Sequence, residues 1–277
     1  TIAARLEDKG LIESATVFKI MMKLKGYESR FKAGEFELKQ PASMRDIYED
    51  LSKGKAILYP VTVPEGLTTM QIMRIVAAAP HLTGGMPQTP AEGTLLPETY
   101  MTPRGMSRTA LVKKMAKAQS DLLHTLWQRR ANDLPIQTQQ EAIILASVVE
   151  KETGINSERG KVAGVFTNRL RRGIRLQSDP TIIYGINGGE KLGRGIRVSE
   201  IARKTDWNTY QMDGLPKTPI CNPGAAAIAA VLNPDEVDVL FFVTDGTGGH
   251  VFSKTNAEHE KHVRALRARE RAAKKAN

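Results

Sequence analysis

The chain has 277 residues, 41% hydrophobic and 25% charged, which excludes a low-complexity or disordered chain and allows a substantial core spread over two domains. Its 40 Lys and Arg against 30 Asp and Glu leave a net charge of +10, which on charge alone makes a nucleic-acid-binding protein a rival reading; only 5% of residues are aromatic, and there is no zinc spacing or aromatic–glycine RNA-binding signature, so nucleic acid is not the expected partner. The single cysteine, Cys221, excludes an intramolecular disulfide, and no apolar run is long enough to span a bilayer.

The chain opens at Thr1, without methionine, and enters at once a helix-like stretch, Ile2-Ala3-Ala4-Arg5-Leu6. This reads as a piece of something longer, with an upstream signal or anchor expected. A weak repeat with a spacing of 25 residues follows. Phe36-Glu37-Leu38 aligns with Val61-Thr62-Val63 as alternating strand residues, Ser43 with Thr68 as helix N-caps, Ile47 with Ile72, and Leu51 with Val76. Thr68-Thr69-Met70-Gln71 is a T-x-x-Q capping box. Each unit is expected to be a short strand followed by a helix of about ten residues, with the opening segment as the helix of a truncated third copy. Chance similarity between amphipathic helices is the alternative.

Residues 80–97, rich in Pro, Gly and Thr, read as a linker or functional loop. Glu98 and Tyr100 at its end either line a groove or staple the loop down. A long amphipathic helix is predicted over 107–130, with Leu111, Met115, Leu122 and Leu126 facing inward. Next, Thr138-Gln139-Gln140-Glu141 is a capping box that opens an apolar helix ending in Glu150-Lys151-Glu152-Thr153, with Gly154 as the expected stop. Glu152 lies four residues after Val148 and three after Val149, on their face. Burial and the negative end of the helix dipole both push its pKa upward, as a general acid near neutral pH requires. The competing reading is a carboxylate paired with a nearby Arg or Lys. A further helix is predicted from about Ser157 to Gly173, with Val162, Val165, Phe166 and Leu170 inward.

Beyond Gly173 the chain becomes loop-rich. It carries Gln177, Asp179, Tyr184, Asn208, Tyr210 and Asn222 among Gly and Pro. Amides, hydroxyls and aromatic rings on loops suit a carbohydrate, which offers hydroxyls to hydrogen-bond and apolar ring faces to stack on. For each taken singly, ordinary turn chemistry is the alternative. A buried strand is predicted at Val239–Val243, a turn at Gly246–Gly249, a partner strand at His250–Phe252, and a last helix from Asn256 into a basic tail with Arg264, Arg267, Arg269, Arg271, Lys274 and Lys275. Such a tail is read first as a solvated helix end and second as a contact for an anionic membrane or polymer. His259 and His262 beside Glu258 make half a zinc site with no further ligand, so no metal is expected, and no cofactor motif is present.

The segments VVEKETG, VFTNRL, LQSDPTIIYG, NTY, GLP, NPG and FFVTDGTGGHVF occur in that order. Together they resemble the YceG-like family of endolytic murein transglycosylases (MltG), from about Glu92 to His262, while EGLTTMQI and KAGEFEL are similar to the LysM-like module that precedes the catalytic region in that family. The resemblance implies an α+β chain: a small LysM-like strand–helix module over 1–90, then a mixed helical and β catalytic domain over 91–277. It implies cleavage of the bond between N-acetylmuramic acid and N-acetylglucosamine in nascent peptidoglycan strands, leaving anhydro-muramyl ends. Glu152 then falls on the second acid of the family's E-K-E-T motif. Gln177, Tyr184, Asn208, Tyr210 and Asn222 are expected in the glycan groove, with Asp179 assigned to structure or substrate orientation. His250, in the family's G-G-H run, either orients a groove residue or makes a structural hydrogen bond. The expected partners are glycan strands, cell-wall synthases and the inner membrane, reached through an N-terminal anchor outside this sequence, with the catalytic part on the extracytoplasmic side. A weakly active or inactive peptidoglycan-binding protein is the alternative function.

Overall fold

The computed structural model describes residues 1–27, 31, 35–38 and 42–276, and the side chains up to 272. Residues 32–34 of the KAGEFEL segment and the side chains of Lys274 and Lys275 lie outside the described residues. The protein is mixed helix and strand, and its apolar residues fall into three clusters that follow one another along the chain.

The first cluster holds α1 (Ile2–Asp8), α2 (Ala15–Leu24) and α3 (Met44–Lys53) together through Leu6, Phe18, Met22, Ile47 and Tyr48. Tyr27 stacks on Tyr48 at a centroid distance of 3.9 Å. The expected repeat holds for its helices and for the second of its two strands, and fails for the first. Ser43 and Thr68 each close a capping box over a ten-residue helix, α3 and then α4 (Thr69–Ala78). Val61 lies in β1 (Leu58–Thr62), but Phe36–Leu38 forms no strand: only Glu35 bridges, to Ile57. Alternation alone does not make a strand without a neighbour to complete the ladder. The two units also pack apart, Ile47 in the first cluster and Ile72 in the second.

The second cluster is built by β1, α4, β2 (Thr99–Pro103) and the start of α5 (Arg108–Trp127). β1 and β2 pair antiparallel, Leu58 opposite Pro103 and Thr62 opposite Thr99. This ladder and its core cross the 90/91 division: Val61, Ile72 and Val76 pack with Leu95, Tyr100, Leu111 and Met115. Tyr100 is buried here, its hydroxyl donating to the Leu96 carbonyl, so it staples the loop and lines no groove.

The third cluster surrounds α6 (Gln139–Glu152). All eight residues from Ala142 to Val149 are buried, against α5, α7 (Asn156–Arg171) and α10 (Ala225–Leu232). Each buried Val, Leu or Ile contributes about 1.5–3 kcal/mol of apolar burial, which fixes this helix as the centre of the region. The helix stops because Thr153 turns to extended geometry (φ −142°, ψ 130°), not because Gly154 goes left-handed. The 235–237 segment crosses α7 so closely that a Cβ on Gly164 would meet Val237 at 2.6 Å, and only glycine fits there. Asp179-Pro180 opens a helix, α8 (Asp179–Asn187), with proline in its first turn as helix starts allow; α9 (Val198–Ala202) follows. The hairpin of β3 (Phe241–Thr244) and β4 (His250–Ser253) is half-buried, unlike the buried strand expected: it is a two-stranded ribbon at the edge of the region, Phe242 packing on Phe166 of α7 and Phe241 on His259 of α11 (Asn256–Ala276).

Candidate active site

Glu152 is the last residue of α6, and Ser178 donates its hydroxyl to Glu152 Oε1 at 2.5 Å. Ser178 occupies the N-cap of α8, where a serine normally satisfies a free helix N–H; here that bond is absent and the hydroxyl goes to the carboxyl group. Ser178 is itself fixed. Its N–H donates to Thr209 Oγ1 (2.9 Å), its carbonyl accepts from Thr181 Oγ1 (2.6 Å), and the two threonine hydroxyls share a bond of 2.9 Å. Glu152 Oε2 has no hydrogen-bond partner among the described residues and is not sealed from solvent. One oxygen is held by Ser178 and the other carries no hydrogen bond among the described residues.

Burial raises the pKa of Glu152 to about 7; the Ser178 bond opposes this, the Asp179 charge adds to it, and His250 and Arg169 pull the other way. A carboxyl group in this setting can hold its proton up to about neutral pH. Glu150, two residues earlier, has a different fate. It is buried, accepts from Gly224 N–H (2.9 Å) and pairs with buried Arg159 at 3.6 Å. The paired-carboxylate reading belongs to Glu150.

Around Glu152 the chain assembles a polar wall. Tyr210 donates its hydroxyl to exposed Asp179 at 2.7 Å. Gln177 is the one non-glycine among the described residues with positive φ (53°), held by its N–H to Thr209 O (3.2 Å) and by Arg169 on its side-chain oxygen (3.3 Å). A strained backbone held by long-range bonds is common at functional sites. Buried Arg169 also donates to the carbonyls of Leu240, Arg175 and Leu176, tying the β3 entry to the loop before α8. On the hairpin side, Glu158 grips His250 twice, through the backbone N–H (3.0 Å) and Nδ1 (2.7 Å). Burial raises the Glu158 pKa, but the two His250 bonds outweigh it and hold it below its ordinary value. The imidazole Nε2 has no partner among the described residues and reaches solvent.

Gln177, Asp179 and Tyr210 thus gather with Glu152. Three other candidates do not. Asn208 is buried, its amide donating to the carbonyls of Glu200, Ile201 and Arg203 and its oxygen accepting from Tyr210 N–H. Asn222 is buried between the front of the chain and the third cluster: it accepts from Leu95 N–H and donates to Leu67 O, Thr69 Oγ1 and Glu92 Oε1. Tyr184 packs edge-on to Trp207 and donates to Glu92 Oε2 (3.2 Å). The polar atoms of both asparagines are taken up inside the protein, which corrects their assignment to a groove, while the half-buried Tyr184 has its hydroxyl engaged by Glu92. Ser178, Arg169 and Glu158 were not singled out in sequence. A serine at an N-cap before Asp-Pro was the available signal for Ser178, and it reads as a cap.

Among the described residues no group of three or more His, Cys, Asp or Glu side chains is placed to hold a metal. Cys221 is buried, and burial pushes its thiol well up, so it is no nucleophile. A cavity of about 1000 Å³ lies in the first cluster near Leu6, Phe31 and Arg104, and another of about 660 Å³ lies between α7 and the 234–238 segment; Glu152 lines neither.

A mixed helical and β chain with a buried carboxyl group of raised pKa, anchored by Ser178 beside a polar wall, defines a candidate acid–base site. The chain belongs to the YceG-like family, whose description matches residues 1–265. It is 30% identical over 311 aligned residues to an endolytic murein transglycosylase of Streptococcus pneumoniae serotype 2 (strain D39 / NCTC 7466), covering 95% of this chain and 55% of that protein. It is 29% identical over 293 residues to an endolytic murein transglycosylase of Bacillus subtilis (strain 168), covering 94% and 79%. The chain thus spans about half the length of the streptococcal relative. A crystal structure of a yceG-like protein from Listeria monocytogenes superposes with a TM-score of 0.58 at 29% identity, covering 94% of each chain.

Proposed function

We propose that this chain is an endolytic lytic transglycosylase that cuts the MurNAc–GlcNAc bond within peptidoglycan strands and leaves anhydro-MurNAc ends, with Glu152 as its single general acid and base. The observation that carries this reading is Glu152 itself: a carboxyl group anchored on Oε1 by Ser178, with no hydrogen bond on Oε2 among the described residues and a pKa raised to about 7. The names of its relatives agree with it.

Hydrolytic glycosidases use two carboxyl groups flanking the bond. A transglycosylase whose nucleophile is the muramyl C6 hydroxyl needs one. Protonated Glu152 gives its proton to the glycosidic oxygen as that bond breaks; the resulting carboxylate takes the C6 hydroxyl proton as that oxygen closes on C1. Each turn returns the acid to its starting state. Gln177, Asp179 and Tyr210 stand as the glycan-facing wall. In this reading residues 91–277 do the chemistry, and residues 1–90 act as a LysM-like module that shares a core with them. The protein works outside the cytoplasmic membrane, held by an upstream anchor, near the synthases that make its substrate.

The test is digestion of isolated glycan strands by the purified chain and by Glu152→Gln, with products read by mass spectrometry. Anhydro-muramyl ends from the parent and none from the variant support the proposal. Binding without new ends favours a peptidoglycan-binding protein, and reducing ends would mean hydrolysis.

A further inference from the structure

Helix α2 has two apolar faces, and only one is covered. Ala15, Phe18 and Met22 are buried in the first cluster. On the opposite side Val17, Ile20 and Leu24 are 52%, 55% and 83% exposed. Their spacing places them on one strip along the helix. An exposed apolar strip of this kind on an otherwise well-packed helix is a candidate contact surface. Within the helix and its C-cap every charge is positive, the nearest acids, Glu7 and Glu13, lying at its N-terminal end. Lys19, Lys23 and Lys25 are exposed, no acidic residue lies between Ala15 and Lys25, and none of the three lysines has an ion-pair partner among the described residues.

We propose that this strip seats on an anionic lipid bilayer, with Val17, Ile20 and Leu24 entering the boundary between headgroups and acyl chains and Lys19, Lys23 and Lys25 meeting lipid phosphates. An apolar strip edged with lysine is the pattern of a helix lying in a membrane interface. Lysines along the helix with no acid among them complement lipid phosphates, whereas a second copy would bring the same three lysines and an acid only at the helix start. Three side chains bury little area, so the contact is weak, reversible and salt-sensitive. The inference is independent of the enzymatic reading, since its readout is adsorption and not bond cleavage.

The experiment is co-sedimentation of the full chain with vesicles of phosphatidylglycerol and phosphatidylcholine, against vesicles of phosphatidylcholine alone. The parent is expected on the anionic vesicles at low salt and to leave them as salt rises. Val17→Ser/Ile20→Ser/Leu24→Ser is expected to lower the partition coefficient about tenfold or more with circular dichroism unchanged. Lys19→Gln/Lys23→Gln/Lys25→Gln is expected to remove the salt dependence. Should the triple serine variant fail to fold, Leu24→Cys carrying an environment-sensitive dye gives a second readout, since this position is open and Cys221 is buried. A blue shift on adding anionic vesicles supports the proposal. No adsorption by the parent, equal adsorption by the triple serine variant, an unshifted dye, or a dimer seen by light scattering and dispersed by the serine substitutions would each overturn it.

Discussion

The Ser178 hydroxyl reaches Glu152 Oε1 at 2.5 Å, linking the first residue before one helix to the last residue of another. The link does two things: it fixes which carboxyl oxygen stays free, and it partly restrains a pKa that burial drives up. Ser178→Ala removes both effects. Glycan cleavage is expected to fall about tenfold to a hundredfold, the range for loss of a hydrogen bond to a charged group. The alkaline limb of the pH–rate profile is expected to move upward, because the donor that favours the carboxylate is gone. A purely structural serine would leave that limb in place.

Glu152→Gln is expected to abolish cleavage and to stabilise the protein above neutrality. The folded pKa of Glu152 is raised from 4.5 to about 7, so the folded state holds a proton that the unfolded chain releases. Its contribution is fully favourable below about pH 4.5 and is lost as pH rises through about 7. Glutamine removes that loss. Urea unfolding at about pH 8 is expected to show the variant more stable by up to about 3 kcal/mol, and at about pH 4.5 to show little difference. A variant no more stable at the higher pH would mean that the acid is well hydrated.

Much of this site could be read from local pattern, and the rest could not. The Thr138 capping box and the apolar run after it define α6, so the position and dipole environment of Glu152 follow from one short segment. Ser178 escapes because its partner lies 26 residues away and its local role looks like a cap. Asn208 and Asn222 mislead for a similar reason. An asparagine in a Gly- and Pro-rich stretch looks solvent-facing until its partners are known, and those of Asn222 lie 127 to 155 residues away in sequence. Helix α10 has no polar face to set a period, because it is buried among α5, α6 and α7, and α2 is obscured by its second apolar strip.

Glu150→Gln is expected to damage stability and spare the chemistry. Glu150 and Arg159 are both almost wholly buried, and neutralising one leaves the other short of a counter-charge, with Glu65 at 3.9 Å as the remaining partner. A loss of about 1–3 kcal/mol in urea unfolding near neutral pH, with cleavage per folded molecule little changed, is the expected result. Cleavage lost at full folded content would transfer the acid's role to Glu150.

Asn222→Ala is expected to cost about 1–3 kcal/mol, since it strands the Leu95 N–H and removes a donor from the half-buried Glu92 carboxylate. Burial already raises the Glu92 pKa, and the variant is expected to raise it further. Hydrogen exchange is expected to rise first around residues 91–95, where the loop loses its anchor.

The turn at 64–67 is bolted to the far end of α6. Gly66 N–H bonds the Asn222 carbonyl, Asn222 N–H bonds the Leu67 carbonyl, and Lys151 reaches the Gly66 carbonyl at 3.2 Å. Lys151 is the immediate neighbour of the acid. The segment after β1 and the last turn of that helix are therefore joined through a side chain next in sequence to Glu152, so trimming Lys151 would loosen both at once.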